Sequence, residues 1–282
     1  MEIKDEIHMK NLVLRSLSGL IYVGLIVGSL LTNEYAFFAL CILFIILGTI
    51  EFSKLTNQET KPLLMVLDVL LALSLIPTII SVTFISSELL EFSPVILMIL
   101  RFVTQLYMPK DKNPLNTLAY SVLGLLYVAG PIWLMVYLYY MESPEVILAM
   151  FIMIWLNDTG AYVVGSLLGR KLIPYKMCPR ISPKKSWAGF VGGLLFAVAS
   201  SFVFINVFGE YYQGIDIIEM IGFAIVVVVF ATWGDLIESL IKRTIGVKDS
   251  GNFIPGHGGI LDRIDSLLFV LPAILCYCYI VL

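Results

Sequence analysis

The chain is predicted to be an all-α, polytopic integral membrane protein with about nine transmembrane helices, on three observations. Hydrophobic residues make up 59% of its 282 positions and charged residues only 14%, against about 45–50% and about 25% in soluble domains. Mean hydropathy is +0.94. Apolar runs close to the roughly 20 residues that cross a bilayer as helix recur along the whole length.

The runs fall at about 12–31, 35–51, 62–80, within 82–107, and at 115–140, 146–168, 187–207, 217–240 and 264–282. The first follows Met1–Lys10, which mixes three acids with two lysines, and no small-residue cleavage site follows it. It reads as an uncleaved anchor, not a signal peptide. The third carries Asp68, read as structural. The fourth is interrupted by Glu88, Glu91 and Arg101, so its register starts near Val82 or near Val95. An odd number of crossings puts the termini on opposite sides. Cys41, Cys178, Cys276 and Cys278 have no metal-type spacing, and no disulfide framework is implied. With no repeat and no soluble appendage of domain length, residues 1–282 read as one membrane domain. Residues 1–140 would be scaffold with lipid and dimer contacts, and 141–282 would carry the chemistry.

Basic residues near span ends stay cytoplasmic. With the N-terminus inside, all Lys and Arg fall on that side: Lys4, Lys10 and Arg15; Lys54 and Lys61; Arg101, Lys110 and Lys112 at or beyond the inner end of the fourth span; the group from Arg170 to Lys185; and Lys242, Arg243, Lys248 and Arg263. The opposite side has acids only, Glu34, Glu88, Glu91, Glu142, Glu145, Glu210, Asp216 and Glu219. The net charge of -3 averages two unlike faces.

Polar groups concentrate between Ser239 and Asp265, where four bases, three acids and five glycines lie between two apolar runs. Upstream, WGDLIESLIKR places Asp235, Glu238, Ser239 and Lys242 on one helical face. An ionised Asp within a span costs about 2.5–3.5 kcal/mol, so Asp235 should face a wet cavity, a metal or a partner cation. The plain alternative is a structural pair with Lys242 or Arg243. In PGHGGILDRID, Gly258 and Gly259 would expose backbone N–H groups to phosphate at a helix N-terminus. Asp262 and Asp265, one turn apart, could hold a hard cation. Capping by a first-turn acid accounts for one of the two. Asp235 and Asp262 arriving from two spans would suit metal ions that clamp a transferring phosphoryl group.

A further element is NDTGAYVVGSLLGRK with SPKKSW beyond it. Gly165 and Gly169 have small-xxx-small spacing, and Lys184 and Lys185 could be positive-inside residues or lipid contacts. Asn157 and Asp158 lie within the apolar run and are open between a site and a structural network. His257 invites the role of general base, but a histidine between glycines serves equally as a phosphate donor or turn residue.

These residues together resemble the phosphatidate cytidylyltransferase family, also called CDP-diacylglycerol synthases. The family signature S-x-x-K-R, K-D, H-G-G-x-x-D-R-x-D is occupied here by Ser239, Lys242, Arg243, Lys248, Asp249, His257, Gly258, Gly259, Asp262, Arg263 and Asp265. GDLIES, NDTGAY and SPKKSW precede it. The match covers roughly the C-terminal half. Ala188 departs from it, standing where Glu is expected after the Trp.

The resemblance implies that CTP and phosphatidic acid give CDP-diacylglycerol and pyrophosphate. It also implies Mg2+, a monovalent cation such as K+, a homodimer, no nucleic acid, and a bacterial cytoplasmic membrane with the site facing the cytosol. Phosphatidate brings its own nucleophile, a phosphate monoester with second pKa of about 6, so no strong protein base is needed. The difficulty is uniting two anions, which calls for metal and fixed cations. Asp235 and Asp262 are then expected as metal ligands and Asp265 as ligand or orienter. Lys242 would hold phosphates, and Lys184, Lys185, Arg243, Lys248 and Arg263 would take the triphosphate or lipid phosphate. A transporter or flippase for an anionic lipid is the competing class, but it predicts paired helix interruptions in two halves. A CDP-alcohol phosphotransferase would need D-G-x2-A-R-x8-G-x3-D-x3-D, which this sequence lacks.

Overall fold

The computed structural model describes residues 2–56, 61–80, 88–108, 111–167, 169, 175–253 and 258–282. Their helices are α1 (Glu2–Thr32), α2 (Glu34–Thr56), α3 (Pro62–Leu73), α4 (Leu75–Ile80), α5 (Glu88–Leu106), α6 (Pro114–Gly124), α7 (Gly130–Met141), α8 (Pro144–Leu167), α9 (Trp187–Phe208), α10 (Ile217–Ile245) and α11 (Leu261–Val281). A π turn, Leu125–Ala129, joins α6 to α7, so the run expected at 115–140 is one helical stretch with a widened turn. Strands β1 (Lys176–Cys178) and β2 (Ser182–Ser186) form an antiparallel hairpin pairing Lys176 with Ser186. The purely helical expectation did not include it.

Among the described residues, six stretches are long and apolar enough to cross a membrane: Glu34–Thr56, Pro114–Met141, Pro144–Leu167, Trp187–Tyr211, Ile217–Ile245 and Leu261–Val281. The expected count of about nine is therefore not reached on length and composition. Of the other three runs, the first lies in α1, whose described apolar part is Ser16–Thr32. The third breaks at Ser74, where Pro77 has no N–H to offer the carbonyl of Leu73. The fourth holds the helix Glu88–Leu106 with Arg101 inside it; the start expected near Val82 lies outside the described residues, and the alternative near Val95 falls within the helix.

The chain divides into two compact units, Met1–Tyr137 with Asp249–Arg263, and Leu138–Lys248 with Ile264–Leu282. In the first, α2 packs against α1, α3, α6 and the π turn, and α5 packs against α3 and α4. Phe37, Cys41, Phe44, Ile45 and Phe52 from α2 are buried with Leu71, Val128 and Ile132. Arg101 is not at a cytoplasmic helix end, as its charge led one to expect. It is 1% exposed and donates to Asp68 at 2.8 Å, Gln105 at 3.0 Å and Ser121 at 2.8 Å. Asp68 neutralises it, which is the structural role read for that acid.

The network reaches solvent at Asp111, which accepts from Gln105 Nε2 at 2.6 Å and from the Asn113 N–H at 3.1 Å, with Lys61 at 3.5 Å. Burial pushes its carboxyl up, but hydrogen bonds from Asn113, Thr117 and Gln105 and the charge of Lys61 outweigh that and hold it below the usual carboxylate range. A depressed folded pKa contributes stability that is present above the unfolded value of about 3.9 and is lost as pH falls through the folded value. The acid side of the wild-type stability profile should therefore flatten in Asp111→Asn. Thermal melts in detergent between about pH 3 and 5 check this, and parallel profiles would refute it.

In the second unit α8 lies against α9, and α10 packs on both. The α8–α9 contact is nearly backbone to backbone. A Cβ at Gly160 would stand 2.6 Å from the Gly192 carbonyl oxygen, and one at Gly165 would be 3.4 Å from the Gly189 Cα. Small residues permit that approach where apolar side chains cannot drive it. At α10, Asp216 and Glu219 form a capping box, and Gly246 closes the C-terminus at φ +87.

Candidate functional site

The hairpin, the C-terminal half of α8, the start of α9 and the middle of α10 line a cleft of about 380 Å³ in the second unit, with Asn157, Asp158, Lys184, Lys185, Thr232 and Asp235 among its residues. Two sequence elements whose roles were open, NDTGAY and SPKK, thus meet the polar face of α10. Ser186 ends β2 and caps α9, accepting the Gly189 N–H at 3.2 Å, which fixes the strand against the helix. Lys185 then reaches Asp235 Oδ2 at 2.6 Å and the Thr232 carbonyl at 3.2 Å, while Lys184 is exposed. The cation beside Asp235 is therefore Lys185, not Lys242 or Arg243. Asn157 is 3% exposed, its Oδ1 buried with no hydrogen-bond partner and held against α9 where Gly193 leaves room.

Below this pair α10 and α11 touch, since a Cβ at Gly234 would be 2.7 Å from the Asp265 carbonyl oxygen. The Asp265 side chain lies in the field of Asp235, Glu238 and Asp158. Ser239 donates to Asp235 at 3.3 Å, and buried Lys242 donates to buried Glu238. The face Asp235, Glu238, Ser239, Lys242 is thus real and looks inward. Lys242, expected to grip phosphate, has a carboxylate partner in Glu238, which sequence reasoning had placed on that face without a role.

The turn before α11 lies in the first unit and differs from expectation. The Gly259 N–H donates to Asp262 Oδ2 at 2.9 Å, and the Ser250 N–H to the same oxygen at 3.0 Å. The next two donors, the N–H groups of Ile260 and Leu261, go to Glu51 at 2.9 and 3.0 Å. The helix end does bind an anion, but that anion is a carboxylate from α2 where a phosphate had been expected. Gly258 takes φ +84, and a Cβ there would be 2.6 Å from Asp262 Oδ2. Asp262 thus accepts two backbone N–H groups at this helix end, while Asp265 lies in the field of Asp235, Glu238 and Asp158.

Arg243 is exposed and donates to the Val247 carbonyl at 2.8 Å, and Lys248 is exposed. The Arg263 carbonyl accepts from Tyr22 at 3.1 Å, and its Nε is buried without a hydrogen-bond partner. His257, Arg170, Lys171 and Lys110 lie outside the described residues. Sequence reasoning missed Glu51. Its signal was present, an acid in an otherwise apolar run, but it stood where that run was taken to end.

No group of three or more His, Cys, Asp or Glu among the described residues forms a ready metal cage. Mg2+ seldom needs one, being held by one or two carboxylates together with water and substrate phosphates. Asp235 and Asp265, which lie close enough for their charges to interact, are carboxylate oxygen donors of the kind such an ion takes.

Six apolar membrane-length helices and a cleft combining carboxylates with lysines define a polytopic membrane protein equipped to handle anions. Residues 13–281 match the model of the cytidylyltransferase family, and the chain belongs to that family. It is 40% identical over 168 residues to a phosphatidate cytidylyltransferase of Haemophilus influenzae, covering 57% of each chain. To one of Staphylococcus epidermidis it is 45% identical over 131 residues, 46% of this chain and 48% of the relative. To one of Staphylococcus saprophyticus it is 39% identical over 178 residues, 62% and 65% respectively. The matched segments thus span about half to two thirds of these relatives.

Proposed function

We propose that the protein transfers CMP from CTP to phosphatidic acid, giving CDP-diacylglycerol and pyrophosphate. The observation that carries this reading is the meeting of Asn157, Asp158, Lys184, Lys185 and Asp235 on one cleft, in a chain of the cytidylyltransferase family. A phosphate oxygen of phosphatidate attacks the α-phosphorus of CTP, and the bond from that phosphorus to the β-phosphate oxygen breaks. Pyrophosphate leaves with the electron pair. The nucleophile is largely deprotonated at neutral pH, so the residues' work is to bind, orient and neutralise. Lys184 and Lys185 hold phosphate oxygens at the mouth of the cleft, with Arg243, Lys248 and Arg263 as further cationic contacts. Asn157 orients a bound oxygen or amide.

Asp235, Asp262 and Asp265 would hold Mg2+, with K+ as an assisting ion. The metal, when bound, supplies positive charge to the triphosphate. Nine crossings, an N-terminus and cleft facing the cytosol, a bacterial cytoplasmic membrane and a homodimer complete the proposal. One-sided placement of the Lys and Arg other than the internally paired Arg101 supports the orientation, and CTP is a cytosolic substrate.

Purified protein given labelled CTP and phosphatidate should release pyrophosphate and form liponucleotide only when Mg2+ is present. Turnover without Mg2+ would remove the metal from the reading, and no liponucleotide with any nucleotide would overturn it.

A further inference from the structure

We propose that Glu51 is a positioning residue that ties Ser250 to the N-terminal end of α11 and sets the place of Asp262; this rests on the reading of Asp262 as a metal ligand. Glu51 is 7% exposed and sits in α2, about 200 residues from the groups it holds. Its Oε1 accepts from the Ser250 hydroxyl and the Leu261 N–H, and its Oε2 accepts from the Ile260 N–H. Both oxygens are therefore used, and the partners are Ser250 and the N-terminal end of α11. Gly251 and Gly259 are shaped around it. A Cβ at Gly251 would be 2.9 Å from Glu51 Oε2, and one at Gly259 would overlap Oε1 at 1.9 Å.

A carboxylate at a helix N-terminus is favoured by the dipole and by the unpaired N–H groups of the first turn. By engaging Ile260 and Leu261, Glu51 leaves the Gly259 and Ser250 N–H groups to Asp262. Those two bonds fix one carboxylate oxygen and so the direction of the other. The division of donors between two acids is what makes Asp262 point one way. With Glu51 neutral, the first-turn donors and the Asp262 side chain would compete for one another. Supporting groups of this kind change metal affinity about 10- to 100-fold without touching the metal.

The test is Glu51→Gln, which keeps size but removes the charge and turns an amide N–H toward N–H donors. Hydrogen exchange on the metal-free protein should quicken about tenfold or more in peptides covering 249–262 and stay unchanged across 138–248. The Mg2+ concentration giving a half-maximal thermal shift should rise about tenfold. Unchanged exchange at 249–262 would overturn the proposal. So would faster exchange with unaltered Mg2+ half-saturation, since Glu51 would then serve stability alone. Should Glu51→Gln not fold, Ser250→Ala removes one donor and is read by the same two measures, with smaller shifts in the same directions. Neither measure needs turnover. A wild-type protein that fails to make liponucleotide would sink the cytidylyl-transfer reading while leaving this one to be decided on exchange and Mg2+ response.

Discussion

Asp235→Asn should lower CMP transfer roughly 10²- to 10³-fold, the usual scale for removing one electrostatic contact to a reacting phosphoryl or acyl group, while the protein stays folded. The separation of the two effects follows from exposure. Asp235 and Lys185 are 35% and 22% exposed, and an ion pair that open to water contributes little to stability. The melting temperature should barely move. The double variant Asp235→Asn with Lys185→Gln discriminates further. If the pair were only structural, removing both charges would restore activity by leaving no unpaired ammonium. The expected result is no recovery, because the proposed function needs the carboxylate for the metal and the ammonium for phosphate. Turnover measured across a Mg2+ titration reads both outcomes, and wild-type rates in the single variant would exclude Asp235 from the site.

Asp68→Ala carries the largest expected effect on stability, about 3–5 kcal/mol, because it strands a buried guanidinium. Arg101 is 1% exposed and Asp68 7%, so water is not at hand to replace the lost partner. Removing both charges together, Asp68→Leu with Arg101→Met, should restore most of the loss, since well-packed apolar replacements of buried pairs are often neutral or better. Unfolding in mixed micelles compares the three proteins. A single variant as stable as wild type would show that Gln105 and Ser121, the other acceptors of Arg101, suffice alone.

Much of the site could be read from residue order, and the reasons differ by element. Asp235 was legible because a charge inside an apolar run is costly wherever the run folds. Its neighbours Glu238, Ser239 and Lys242 were legible because helical spacing fixes a face. Which cation would meet Asp235 was not legible. Lys185 arrives on a hairpin whose residues, KMCPRISPKKS, have no apolar alternation to announce a strand. The N–H groups of Gly258 and Gly259 were read as donors to phosphate, whereas the Gly259 N–H goes to Asp262 and those of Ile260 and Leu261 beyond it go to Glu51. Arg101 was misjudged because positive residues were assigned by side of the membrane, a rule about unpaired charge near span ends, whereas Asp68 pairs it within the helices.

Residue order alone determined that the chain is a helical membrane protein and where its apolar runs lie, and it showed that polar residues concentrate around α10 and the start of α11. Those properties follow from local composition and period, which bilayer thickness and backbone hydrogen bonding convert directly into helices. Only the tertiary structure decided who meets whom: Lys185 with Asp235, Asp68 with Arg101, and Glu51 with the turn before α11. Each of these joins groups far apart in the chain, and nothing in local spacing specifies the partner of a side chain once several of opposite charge are available.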